Sequence, residues 1–268
     1  MLFDATLFSD GSNIQRKPKG HLYLYPLIAI AAMLAIVFVM DLPHMHKPKQ
    51  QLSQTIRIPA GQRAQMDLPD GSVVWLNSQT TLTYDENFGK KDRKVTLDGE
   101  AYFEVAHNKE IPFYVQTENI KVQVTGTKFD VCSYKGSNSF IARLIEGSIN
   151  LLTNNAKEEK PITSLTKGKY FSMENGKYKT GEMSSNNALA WMQGIYYFDD
   201  VPFKELLDKI ALYYNYKITV KNPKILENYR CTGKFKDLDG IEHILKVIQK
   251  DHPFKYNIDN EHNKITIE

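Results

Sequence analysis

Cysteine is nearly missing from this chain: Cys132 and Cys231 are the two in 268 residues. Two are too few for a disulfide framework, and sequence alone leaves their pairing open. No CxxC and no Cys/His set with zinc spacing occurs. His44-x-His46 has no third ligand nearby and reads as part of a solvated linker. Also missing are a P-loop, a G-x-S-x-G elbow, an H-E-x-x-H helix and a dinucleotide fingerprint. No catalytic residue, cofactor site or metal site is therefore nominated, and no enzymatic activity is expected. Charge of one sign is scarce as well. The net charge is +3, and bases interleave with acids, as in Asp85-Glu86 followed by Lys90-Lys91-Asp92-Arg93. A direct nucleic-acid binder would carry a concentrated basic face, so none is expected here.

One long apolar run is present. Leu22 to Met40 reads LYLYPLIAIAAMLAIVFVM, with no charged residue. At about 1.5 Å per residue it would extend about 28 Å, close to the hydrocarbon thickness of a bilayer. Tyr23 and Tyr25 suit an interface, and Pro26 falls near the start, where its missing N–H costs little. The exit, Val39 to Pro43, lacks a small-x-small cleavage pattern, so an uncleaved signal anchor is expected rather than a signal peptide. Arg16, Lys17 and Lys19 precede the run, and Lys47, Lys49 and Arg57 follow it. The first group lies nearer its end of the helix, which favours an N-terminus inside the cell.

The chain then divides into a tail (1–21), the transmembrane helix (22–40), a polar linker (41–55), a β lobe (56–183) and a mixed lobe (184–268). The β lobe alternates polar and apolar residues in short runs, such as Ser72 to Asn77 and Lys121 to Val124. Asp70-Gly71, Asp98-Gly99, Thr125-Gly126, Glu146-Gly147 and Asn175-Gly176 read as turns. The pattern implies an all-β lobe, solenoid-like or sandwich-like.

Five motifs follow in order: Leu68-Pro69-Asp70-Gly71-Ser72 running to Leu76-Asn77, Gly99-Glu100-Ala101-Tyr102-Phe103-Glu104-Val105, Pro112-Phe113-x-Val115, Gly126-Thr127-x-Phe129-x-Val131 and Leu144-Ile145-Glu146-Gly147. Together they resemble the periplasmic domain of the FecR family of transmembrane anti-sigma regulators. Their residues read as structural. Ala101, Phe103 and Val105 share one strand face; Glu100, Tyr102 and Glu104 share the other. Glu100 and Glu104 would stand about 13 Å apart along a strand, too far for the carboxylate pair of a glycosidase.

In the last lobe the order is β-α-β, then β-α-β-β, a duplication roughly 38 residues apart. Asp199 or Asp200 is expected to cap a helix with an apolar stripe of Phe203, Leu206, Leu207, Ile210 and Tyr214. Asp239 is expected to cap a second, with Ile241, Ile244, Leu245 and Ile248. A strand is expected over Tyr229 to Phe235. The lobe resembles the STN-like domain at the C-terminus of Bacteroidetes-type FecR proteins, similar to the short N-terminal domain of secretins and TonB receptors. Its candidate partner-binding edge is Tyr229, Cys231, Gly233 and Phe235, through added-strand pairing.

The resemblance implies a membrane-anchored anti-sigma factor with its body in the periplasm. It would relay the state of a TonB-dependent transporter, through that transporter's signalling domain, to an extracytoplasmic-function (ECF) sigma factor. Family members usually place a helical sigma-binding domain before the membrane, whereas residues 1–21 cannot form a packed bundle. A sensor-only periplasmic binding or scaffold protein is the first alternative, and a membrane-anchored periplasmic hydrolase the second.

Overall fold

The computed structural model describes residues 24–41, 52–155, 159–183 and 186–268. The tail, most of the linker with His44 and His46, and the polar break at Ser184-Ser185 lie outside the described residues. The chain forms two units, residues 1–50 and residues 51–268.

In the first unit, helix α1 spans Leu24–Asp41. Leu22 and Tyr23, expected at its start, lie outside the described residues. Of its apolar side chains, Ile28, Ile30, Met33, Leu34, Ile36, Val37 and Phe38 are exposed. These seven point to every side of the helix. Among the described residues no helix is long and apolar enough to cross a membrane.

The second unit opens with strands β1 (Ser53–Arg57), β2 (Ala64–Asp67), β3 (Val73–Leu76), β4 (Thr81–Asp85), β5 (Arg93–Glu104), β6 (Phe113–Gln116) and β7 (Ile120–Val124). It continues with β8 (Lys128–Ser133), β9 (Ser139–Glu146), β10 (Ser148–Thr153), β11 (Pro161–Thr166), β12 (Lys169–Glu174) and β13 (Lys177–Glu182). These thirteen strands make one curled sheet. Strand β5 sits at its centre and belongs to both halves. Residues 93–98 pair with β4 and, in parallel, β6; residues 99–104 pair with β3 and β8. The curl closes over a core in which Phe103 stacks on Phe129 at 5.1 Å and meets Phe113 edge-on at 5.9 Å.

Gly99, expected in a turn, lies inside β5, where the strand passes from one half of the sheet to the other. Its φ is +134°, and a Cβ there would sit 2.4 Å from Thr80 Oγ1 and 2.6 Å from Thr80 Cα. Thr125-Gly126 bends the chain between β7 and β8, as expected, and a Cβ on Gly126 would lie 2.3 Å from the His107 ring. The remaining motif residues hold loops together. Asp70 accepts from both the N–H and the hydroxyl of Ser72. Buried Arg93 donates to Asp70 at 3.0 Å and to the carbonyls of Ala106 at 2.7 Å and Ile111 at 2.8 Å.

The second lobe begins with a 3₁₀ segment, Asn186–Gln193, followed by β14 (Ile195–Pro202), α2 (Phe203–Tyr214), β15 (Lys217–Val220), β16 (Arg230–Lys236), α3 (Gly240–Asp251), β17 (Tyr256–Asp259) and β18 (Lys264–Ile267). The expected duplication is visible, and its sheets form across the repeats: β14 pairs with β16, and β15 runs parallel to β18, which also pairs with β17. All four expected residues of α3 are buried. On α2 the buried stripe ends at Tyr213 rather than Tyr214; Tyr213 stacks on Tyr196 of β14 at 4.1 Å. Neither Asp199 nor Asp200 caps α2; Pro202 occupies that position. Both aspartates belong to β14, where the pairing shifts register and Asp200 takes φ 48°. Asp239 precedes α3 without a side-chain cap.

Gly99→Ala is expected to cost about 3 kcal/mol, from a strained φ plus overpacking against backbone. Gly136→Ala, which also has a positive φ but open space around it, should cost about 1 kcal/mol. Urea unfolding of the two variants measures the difference, and equal costs would refute the close-approach argument.

Candidate functional site: the seam between the lobes

The face of β5 opposite the core carries Glu100, Tyr102 and Glu104. Part of it is covered by the second lobe, since Tyr102 joins the apolar cluster of Trp191, Tyr196, Phe198 and Tyr213. Beside it lies a cavity of about 460 Å³ walled by both lobes. Glu100, Cys132, Arg143 and Tyr170 come from the sheet; Trp191, Tyr196, Lys209 and Tyr213 come from the second lobe.

Under this seam sit two buried carboxylates and one arginine. Asp130 has no solvent exposure and takes Arg143 Nη1 at 2.6 Å. Glu100 is 4% exposed and lies 3.8 Å from the same nitrogen. Its closest partner is Asn77, whose Nδ2 donates to Oε2 at 2.6 Å. Burial, then the charge of Asp130, pushes the Glu100 carboxyl up to about 7. Burial also raises Asp130, with Arg143 opposing it. For Arg143 burial works against the charge, but Asp130 and then Glu100 more than offset it and hold the guanidinium protonated. Cys132 is pushed well up, first by burial and then by Glu100, which makes it a poor nucleophile. It and Cys231 are both free thiols.

The seam is fastened at the C-terminal end of α2. A helix leaves its last carbonyls without intrahelical partners. Here the first lobe supplies donors. Ser78 Oγ donates to Tyr213 O at 3.0 Å, Gly61 N to the same carbonyl at 3.0 Å, and Gln79 Nε2 to Leu212 O. Asn77 couples this cap to the carboxylates: its Oδ1 accepts from Ser78 N at 2.8 Å while its Nδ2 holds Glu100. A second fastening is the Arg63–Asp237 ion pair at 2.7 Å. Among the described residues no group of three or more His, Cys, Asp or Glu could hold a metal ion.

The four residues nominated for partner binding lie elsewhere. Cys231 and Phe235 point into the second lobe's core; Gly233 faces Phe198 across the β14–β16 pair. Tyr229 precedes the strand and stacks on His252 at 3.9 Å. Only one edge of β16 is paired among the described strands. The seam residues Asn77, Ser78, Asp130, Arg143 and Tyr213 carried no such nomination. The polar face of Glu100-x-Tyr102-x-Glu104 marked the strand beside them, and no local signal marked these five.

Arg143→Met would leave two buried carboxylates without their cation. A loss of about 3–5 kcal/mol is expected at pH 8. The loss should shrink at pH 5, because the carboxylates can then take protons. Urea unfolding at the two pH values tests this, and a loss of equal size at both would contradict it.

Two family models match the chain: "FecR protein" over residues 54–150 and "FecR, C-terminal" over residues 195–267. No curated protein matches it in sequence. Two crystal structures of candidate anti-sigma factors from Parabacteroides distasonis ATCC 8503 share its architecture. The one at 2.50 Å is 25% identical, with a TM-score of 0.68, covering 81% of this chain and 98% of that one. The one at 1.65 Å is 24% identical, with a TM-score of 0.69, covering 80% and 98%. With both family models matched in order on one compact body, the chain belongs to the FecR family.

Proposed function

We propose that the chain is a membrane-anchored anti-sigma factor that relays the state of a TonB-dependent outer-membrane transporter to an ECF sigma factor. The observation that carries this reading is the joint presence of both FecR-family halves, in a body whose 25%-identical structural neighbour is a candidate anti-sigma factor. In this reading the charge-free run Leu22 to Met40, of which α1 covers the described part, is the anchor. The exposed apolar side chains between Ile28 and Phe38 are unfavourable in water and at home in lipid. The body then stands in the periplasm, with the tail in the cytoplasm. The second lobe receives the transporter's signalling domain, and the open edge of β16 is one place where a partner strand can add. The buried charges of the seam support a structural role. Cys132 has its thiol pushed up by burial, which leaves it a poor nucleophile.

Transcript profiling after deletion of the gene tests the regulatory half. Expression of one sigma-dependent transporter operon should change several-fold. If no such operon responds, the chain is a sensor or scaffold without sigma-factor control. Protease digestion of spheroplasts tests the topology. The body should be cut from outside in intact spheroplasts, and its survival there would place it in the cytoplasm.

A further inference from the structure

We propose that the seam between the lobes is a proton-operated latch, closed while Glu100 carries a proton and loosened when Glu100 ionises. The geometry starts from a mismatch of charge. Two carboxylates share one guanidinium, and the sharing is unequal: Asp130 has the 2.6 Å contact and Glu100 the 3.8 Å one. Ionised Glu100 is thus the less compensated charge, on a side chain that the closed body leaves only 4% exposed.

The groups facing Glu100 do little to relieve it. Asp130 on β8 repels it, and Cys132 on the same strand stays neutral. Arg143 on β9 is committed to Asp130. From the second lobe, Lys209 contributes the smallest of the attractions and is itself paired with Glu205 at 2.8 Å. Tyr134, Tyr196 and Tyr213 surround the site with phenols that burial keeps protonated. The neutral Asn77 amide donates directly to the carboxylate at 2.6 Å.

Lifting the second lobe would hydrate Glu100 and return it toward ordinary carboxylate behaviour. The state with the higher proton affinity is the closed one, so protons favour closure. The sign follows from the values: Glu100 moves from 4.5 to about 7 in the closed body. Closure is therefore firmest below about pH 4.5 and is lost progressively as pH rises to about 7, after which it changes no further. The mechanical link is short. Asn77 holds Glu100 through Nδ2 and Ser78 through Oδ1, and Ser78 caps Tyr213 at the end of α2. A partner that pulls on the second lobe would thus meet a resistance set by periplasmic pH.

Hydrogen exchange on the full chain in detergent micelles, between pH 5 and pH 8, tests the latch. Protection of the seam amide of Gly61, which donates to Tyr213 O, corrected for intrinsic exchange, should fall about tenfold per pH unit between pH 5 and 7 and then level off. At each pH it should stay below the protection of core amides in β6 and β7. Glu100→Gln should keep the seam protected across the whole range. Glu182→Gln, at the cavity rim, should behave as wild type. A flat wild-type profile, the same slope in Glu100→Gln, or seam protection equal to that of the core would each overturn the proposal. If Glu100→Gln does not fold, the first and third readouts on the wild type decide alone.

Discussion

A single strand that serves both halves of one sheet must change direction in its middle, and β5 does so at Gly99. The constraint is steric. The bend brings the backbone against Thr80 so closely that no side chain fits. Thr80 then grips the next residue in both directions, with Glu100 N donating to Thr80 Oγ1 and Thr80 Oγ1 donating to Glu100 O. The bend thereby fixes where Glu100 stands. Its side chain leaves the apolar core and enters the space beneath the second lobe. Position 100 is buried as a by-product of how the sheet curls.

From there the second lobe follows. Its α2 ends against residues 61, 78 and 79, which complete the helix's own hydrogen bonding. Each such bond contributes about 1 kcal/mol, and together they couple the helix to the sheet beside the apolar cluster that Tyr102 and Tyr213 share. The two lobes are joined by this cap, by the Arg63–Asp237 pair and by the aromatic cluster around Trp191. For a regulator of the proposed kind, force applied to the second lobe reaches the sheet through few bonds, and one of them, from Ser78, leads on to Asn77 and Glu100.

Much of this architecture was legible in the sequence, for reasons that differ by element. The β lobe could be read because its strands alternate cleanly, and α3 because Ile241, Ile244, Leu245 and Ile248 define one face. The repeat in the second lobe was legible too, but not its cross-pairing of β14 with β16 and β15 with β18, which has no local signature. Asp98-Gly99 shows how a correct local rule can mislead. Glycine after aspartate does mark a positive φ, and here the chain uses it to bend a strand instead of ending one. Asp199 and Asp200 were plausible caps by composition, yet the strand runs past them to Pro202. The seam was the least legible part. Asn77, Asp130 and Arg143 are far apart in the chain, and no spacing rule connects an asparagine after one strand to carboxylates on two others.

The sequence contains two tryptophans, Trp75 and Trp191. Both sit at the seam: Trp75 lies against Tyr102 at 5.4 Å, and Trp191 is buried within the aromatic cluster of the second lobe. Neither belongs to the core of the curled sheet. The intrinsic fluorescence of this chain is therefore almost blind to its largest core. Its emission colour instead reports the one surface where two lobes meet, so the molecule carries its own optical gauge of their separation.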